Sequence, residues 1–196
     1  GVKVWAQRLS YVGEIGFELY TNIDESKKLF LAIIKEGKNH GLSLCGAHAM
    51  DIMRMESGFL HWGHDISPEE NQYQAGLKFA ISYKKNINFV GKEALLKIKD
   101  QNPTKSLAMM VLKDNRPGEP LLLHEEPIYL DDKIIGRTTS GNYSFNFKKN
   151  ISFGYVNSGN TIENLVNKNL SIEVEKKKYP VTIIKKPLNQ KNIKNI

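Results

Sequence analysis

Between residues 2 and 20, β-branched and aromatic residues recur and are interrupted at Gly13 and Gly16. That pattern predicts a strand, a glycine-supported turn and a second strand over residues 16–20. Beyond it, Leu29, Ile33 and Gly37 return at helical spacing. Asp24 is the expected N-cap, acids stand at the start, Lys38 and His40 at the end, and Gly41 terminates the helix. A second helix is predicted over residues 47–57, ended by Gly58. On it Ala49, Met53 and Ser57 share one face, and Asp51, Arg54 and Gly58 another. Residues 61–74 are polar, contain Pro68 and two histidines, and read as an ordered loop. A short third helix over 91–100 runs into Asn102-Pro103, a natural boundary.

From Lys105 the period shortens. Strands are expected at 106–112, 127–130, 133–139, 151–156, 171–174 and 179–185, with turn chemistry at Asp131-Asp132 and Gly118-Glu119-Pro120. Short strands at this spacing indicate a small barrel or sandwich. The fold class is therefore α+β, with an α+β region over 1–102 followed by an all-β part, a barrel or a sandwich, over 103–196. Roughly the last six or seven residues are expected to fray.

Composition changes this picture little. The 196 residues are 40% hydrophobic and 25% charged, an ordinary globular balance. No apolar run is long enough to span a bilayer, and residues 1–5 carry neither a secretory signal nor an initiator Met, so Gly1 reads as a position inside a longer frame. The single cysteine, Cys45, fits a reducing compartment, the cytoplasm or a mitochondrial matrix, and is expected to be a small buried hydrophobe. The net charge of +7 comes largely from short runs such as Lys84-Lys85, Lys148-Lys149, Lys176-Lys177-Lys178 and Lys185-Lys186. They lie beside turns and form no helical stripe, so a solvated surface is expected and neither nucleic acid nor membrane is a predicted partner. Attraction to polyanions, including polyglutamylated cofactors, stays open.

The candidate chemistry lies in Arg8-Leu9-Ser10-Tyr11-Val12-Gly13-Glu14-Ile15-Gly16-Phe17-Glu18-Leu19. Two glycines bracket a turn, and Glu18 falls in a strand otherwise rich in apolar residues. A carboxylate there is expensive unless paired or met by a ligand with donors. A pterin edge, with an amine beside a ring N–H, is such a ligand. Asp51 and Arg54 are spaced to form an ion pair across one helix turn. His61, His64 and Asp65 can be drawn as metal ligands, but a structural site needs more ligands than these, and no metal is assigned. No G-x-G-x-x-G follows a strand, so nothing in this chain signals a flavin or nicotinamide fold.

Four stretches in order resemble the glycine-cleavage T-protein family of folate-binding aminomethyltransferases. They are the Tyr11–Glu18 motif, Ala47-His48-Ala49-Met50-Asp51 through Gly58 with Trp62-Gly63-His64-Asp65-Ile66, Gln74-Ala75-Gly76-Leu77 with Phe89-Val90-Gly91, and Gly136-Arg137-Thr138-Thr139-Ser140-Gly141 with Ile151–Val156. The resemblance implies that Glu18 contacts the pterin of tetrahydrofolate and that Tyr11 shapes the same pocket. It gives Glu14 a structural role and no ligand role to Gly136 or Gly141. The family's catalytic Asp would lie upstream of residue 1, so no catalytic residue is assigned here. Met50 stands where the T-protein carries Arg, and with the His61–Asp65 wording the chain looks closest to the folate module of dimethylglycine and sarcosine dehydrogenases. In those enzymes FAD in an upstream domain of the same chain would oxidise the N-methyl group, and tetrahydrofolate would take the carbon. The alternatives are a T-protein proper, a related folate-dependent methyltransferase or demethylase, and a non-catalytic folate-binding iron–sulfur assembly protein. The last carries a Cys motif where this chain has Asn88-Phe89-Val90-Gly91-Lys92-Glu93.

Overall fold

A computed structural model describes residues 1–85, 87–114, 116–157, 159 and 161–190. Its contacts divide the chain into two units, Gly1–Phe59 joined by Asn189, and Leu60–Leu188. The expected fraying of the last residues falls mostly outside the described part.

The first unit holds the strands β1 (Trp5–Arg8) and β2 (Phe17–Tyr20), paired antiparallel, then the helices α1 (Ile23–Gly37) and α2 (Ala47–Glu56). Asn22, in extended conformation, is the N-cap of α1, in place of the expected Asp24. Asp24 sits in the first turn, where its charge still complements the exposed N–H groups. The helix tightens into a 3-10 turn at Lys38–His40, and Gly41 and Gly58 take the left-handed conformations that stop the two helices. No residue of α1 is buried, whereas α2 buries Ile52, Arg54, Met55 and Glu56. Cys45 is exposed, contrary to expectation, because it belongs to an irregular stretch between the helices, residues 41–46, that is exposed throughout.

The second unit begins with turns over residues 61–77, passes through α3 (Lys92–Ile98) and enters a closed six-stranded barrel. Its strands are β3 (Lys105–Leu112), β4 (Pro127–Leu130), β5 (Lys133–Ser144), β6 (Lys149–Asn157), β7 (Leu170–Val174) and β8 (Lys177–Ile184), with a short helix α4 (Ile162–Leu165) that the sequence pattern does not announce. The order around the barrel is β3-β6-β5-β4-β7-β8, antiparallel at every pair. Closure leaves no open edge. Alternate residues fill the interior, among them Met110, Leu112, Ile128, Ile172, Val181 and Ile183. The strand expected to end at Thr139 continues to Ser144, because a bulge at Thr139 shifts the register with β6 without ending the pairing. Among the described residues, no helix is long and apolar enough to cross a membrane.

Candidate functional site

The register of the first sheet sets Trp5 opposite Tyr20 and Gln7 opposite Glu18. Since strand neighbours alternate faces, these four side chains share one face. The Trp5 and Tyr20 ring centroids are 5.2 Å apart. The Tyr20 hydroxyl donates to the Glu18 carboxylate, and this bond, followed by partial desolvation and the Glu18 charge, pushes the Tyr20 phenol above its ordinary pKa. Both strands are exposed along their whole length. Glu18 therefore carries no burial penalty of the kind its apolar surroundings in sequence suggest, because the residues around it are themselves uncovered. Its carboxylate can still accept from a ligand while holding the Tyr20 hydroxyl, and the two rings offer a flat apolar surface. Tyr11, half-buried, lies in the connection between the strands and not on the paired face. Tyr20 and Trp5 were legible only as members of an apolar strand, although the i, i+2 spacing of Glu18 and Tyr20 already places them side by side.

On α2 the predicted ion pair is present. Arg54 Nη2 lies 2.8 Å and Nε 2.9 Å from Asp51 Oδ1, while Nη1 donates to the Phe59 carbonyl at 3.2 Å. Arg54 is 1% exposed. Its charge is neutralised by Asp51, and its donors close the end of the helix, a structural role. Met50 is exposed on the same helix.

In the second unit Asp65 is wholly buried. Its carboxylate accepts from Thr139 Oγ1 at 2.6 Å, Ser140 Oγ at 2.8 Å and the His61 N–H at 2.9 Å, and its carbonyl accepts from the Tyr155 hydroxyl at 2.9 Å. The bulge at Thr139 lets two successive residues of β5 reach the same carboxylate oxygen, which a regular strand would forbid. Asp65 thus pins the 61–66 turn to the barrel. The His61 and His64 rings stand 4.5 Å apart, with His124 6.3 Å from His64. Among the described residues, no group of three His, Cys, Asp or Glu side chains is arranged to hold a metal ion. A few residues on, Glu70 accepts from the Ser67 N–H and hydroxyl and from Lys105, whose ammonium also lies 4.8 Å from the Tyr155 ring centroid. Burial, then the charges of Glu70 and Asp65, push the Tyr155 phenol well up.

Two family models match: the GCVT N-terminal domain over residues 1–85, and the glycine cleavage T-protein C-terminal barrel domain over residues 105–189. The chain is 41% identical over 139 residues to a formaldehyde-forming 4-methylaminobutanoate oxidase of Paenarthrobacter nicotinovorans, covering 71% of this chain and 16% of that protein. It is 34% identical over 189 residues to the mitochondrial dimethylglycine dehydrogenase of Homo sapiens, covering 95% of this chain and 21% of that one. An aminomethyltransferase of Symbiobacterium thermophilum is 36% identical over 149 residues, 76% of this chain and 39% of its own length. The crystal structure of the aminomethyltransferase T of Bartonella henselae superposes with a TM-score of 0.80 at 22% identity, covering 94% of this chain and 49% of that chain, a likeness of fold. The chain spans less than half the length of each of these relatives. With both domain models matched in order, and with the α+β region and closed barrel they describe, this chain belongs to the glycine-cleavage T-protein family of aminomethyltransferases.

Proposed function

We propose that this chain is the tetrahydrofolate-handling part of a longer enzyme that moves a carbon derived from the N-methyl group of dimethylglycine or sarcosine onto the folate. The observation that carries the reading is the face of β1 and β2. An exposed carboxylate on Glu18, buttressed by Tyr20 and flanked by the Trp5 ring, matches the donor edge and flat face of a pterin. Tetrahydrofolate, when bound, supplies the nitrogens that carry the one-carbon unit. The chain's own residues bind and orient: Glu18 fixes the pterin edge, and Tyr11 shapes the wall of the pocket. Such a module accelerates the reaction chiefly by positioning and by excluding water. The identity of 34% to dimethylglycine dehydrogenase across 95% of the chain supports the substrate class, as does Met50 in place of an arginine. An upstream FAD domain, a catalytic Asp outside this sequence, residence in the cytoplasm or a mitochondrial matrix, and a boundary near residue 103 belong to the same reading. The boundary has the support of the domain models, which match 1–85 and 105–189.

The relatives named aminomethyltransferase support a T-protein proper equally well. Intact mass and visible absorption of the native polypeptide separate the two. A much longer yellow protein supports the dehydrogenase, and a colourless one of about twice this length supports the T-protein.

The folate assignment itself is tested by Glu18→Ala in the native enzyme. Losing a charge-assisted contact should cost about 1.5–3 kcal/mol of folate binding, roughly ten- to a hundredfold in Kd, read by calorimetry. An unchanged Kd would sink it.

A further inference from the structure

A concave site lies on the barrel, lined by none of the residues assigned to folate above. The connection that leaves β3 and the first residues of β8 enclose about 500 Å³, within the range of small-ligand sites. Four cationic residues line it, Lys113, Arg116, Lys177 and Lys178, against two carboxylates, Asp114 and Glu119. The sequence shows only the Lys176–Lys178 run. The fold adds Lys113 and Arg116 from sixty or more residues earlier.

The backbone beneath these side chains is held in place. The Lys113 N–H donates to the Pro180 carbonyl at 2.9 Å, carrying the β3–β8 pairing one residue further. The Arg116 carbonyl accepts from the side-chain amide of Asn150 at 3.3 Å, and Asn150 is 1% exposed. The Glu119 N–H returns to the same carbonyl at 3.2 Å. Lys177 and Lys178 sit in register with Val174 and Glu173 of β7. The charges already present are loosely matched. Arg116 and Glu119 are 3.7 Å apart and largely exposed, a pair that a ligand can displace at little cost. Lys177 lies 5.0 Å from the Tyr179 ring centroid, and Lys178 is shared between Asp132 at 3.0 Å and the Tyr129 ring at 4.1 Å.

We infer that this pocket binds an oligocarboxylate, a short flexible chain bearing carboxylates in series. Four cations against two lining carboxylates, with Asp132 on Lys178 just outside the lining, suit a small multivalent anion and are too few for a nucleic-acid backbone, which needs an extended basic stripe. The cations are distributed along two chain segments, which matches charges spaced along a chain. A compact phosphate is held best where cations converge together with backbone N–H groups, as at a helix start, whereas strand ends and a turn form this pocket. Tyr179 and Pro180 supply an apolar wall for the methylenes between carboxylates. The inference does not depend on the folate reading, because it concerns other residues and a ligand measured alone.

Two sources share this chemistry, an acidic peptide and a γ-linked glutamyl chain. Calorimetry of the full chain with α-linked and with γ-linked pentaglutamate distinguishes them, with tripolyphosphate as a third arm. Binding of either pentaglutamate should fall as salt rises. It should weaken about tenfold or more in Arg116→Glu/Lys177→Glu, and less than about twofold in Lys84→Glu/Lys85→Glu, which makes the same change in net charge elsewhere. The tighter isomer names the source. Should the double reversal disturb folding, Arg116→Gln/Lys177→Gln against Lys84→Gln/Lys85→Gln gives the same comparison with a milder change. Equal losses in the site and control variants, no binding at all, or tripolyphosphate binding about tenfold tighter than both glutamates would each overturn the inference.

Discussion

At the scale of single residues, the second unit is organised by buried or half-buried acids with named partners. Asp65 is satisfied by two hydroxyls and an amide, so it costs little to bury and holds a turn of exposed histidines in one place. Glu70 has a measurable consequence. Burial alone would raise its pKa, but the hydrogen bonds from Lys105 and Ser67 and the Lys105 charge outweigh burial and leave the carboxyl below its ordinary value. A carboxyl with a depressed folded pKa adds stability that is complete above its unfolded pKa, about 4.3, and is lost as pH falls through the folded value. Unfolding by urea across pH 3–7 should therefore show Glu70→Gln less stable than the wild type at neutral pH, with the gap closing below about pH 4. A gap independent of pH would contradict the ion pair with Lys105.

Among the elements, β5 decides the most. It pairs with β4 on one side and β6 on the other, and it has to pass both partners closely while bulging at Thr139. Gly136 is where the approach is tightest: a Cβ there would meet the Tyr155 carbonyl oxygen at 1.9 Å. The contact is with backbone atoms, which cannot yield as a flexible side chain would. Gly136→Ala should cost about 3 kcal/mol or more, or abolish soluble expression, as read by chemical denaturation. A loss under about 0.5 kcal/mol would mean that β5 and β6 separate more easily than this geometry implies.

For the whole molecule, apolar burial is unevenly shared. The core cluster lies entirely within the barrel unit. The β1–β2 sheet, by contrast, exposes Trp5 and Phe17 by 66% and 62%, and a two-stranded sheet is marginal by itself. Truncating the fully buried Met110 to Ala should cost about 2–5 kcal/mol of barrel stability, while Phe17→Ala should stay within about 0.5 kcal/mol. Denaturation followed by far-UV circular dichroism compares the two, and equal effects would show that β2 is covered in solution.

The periodicity of the chain determined by itself that helices occupy 47–57 and the stretch after Asp24, that short strands follow residue 105, and that Asp51 can pair with Arg54. Each of these depends on neighbours within a few positions, where spacing alone sets which side chains meet. The motif from Tyr11 to Glu18 was likewise legible, and with it the family. Only the tertiary structure decided that Asp65 belongs to Thr139 and Ser140 more than seventy residues away, and that Lys113 and Arg116 join the Lys177 run. It also overturned the expected burial of Cys45. The reason is the same throughout. Burial and long-range pairing are properties of what packs against a segment, and a strand's own pattern says which faces it has but not which of them is covered.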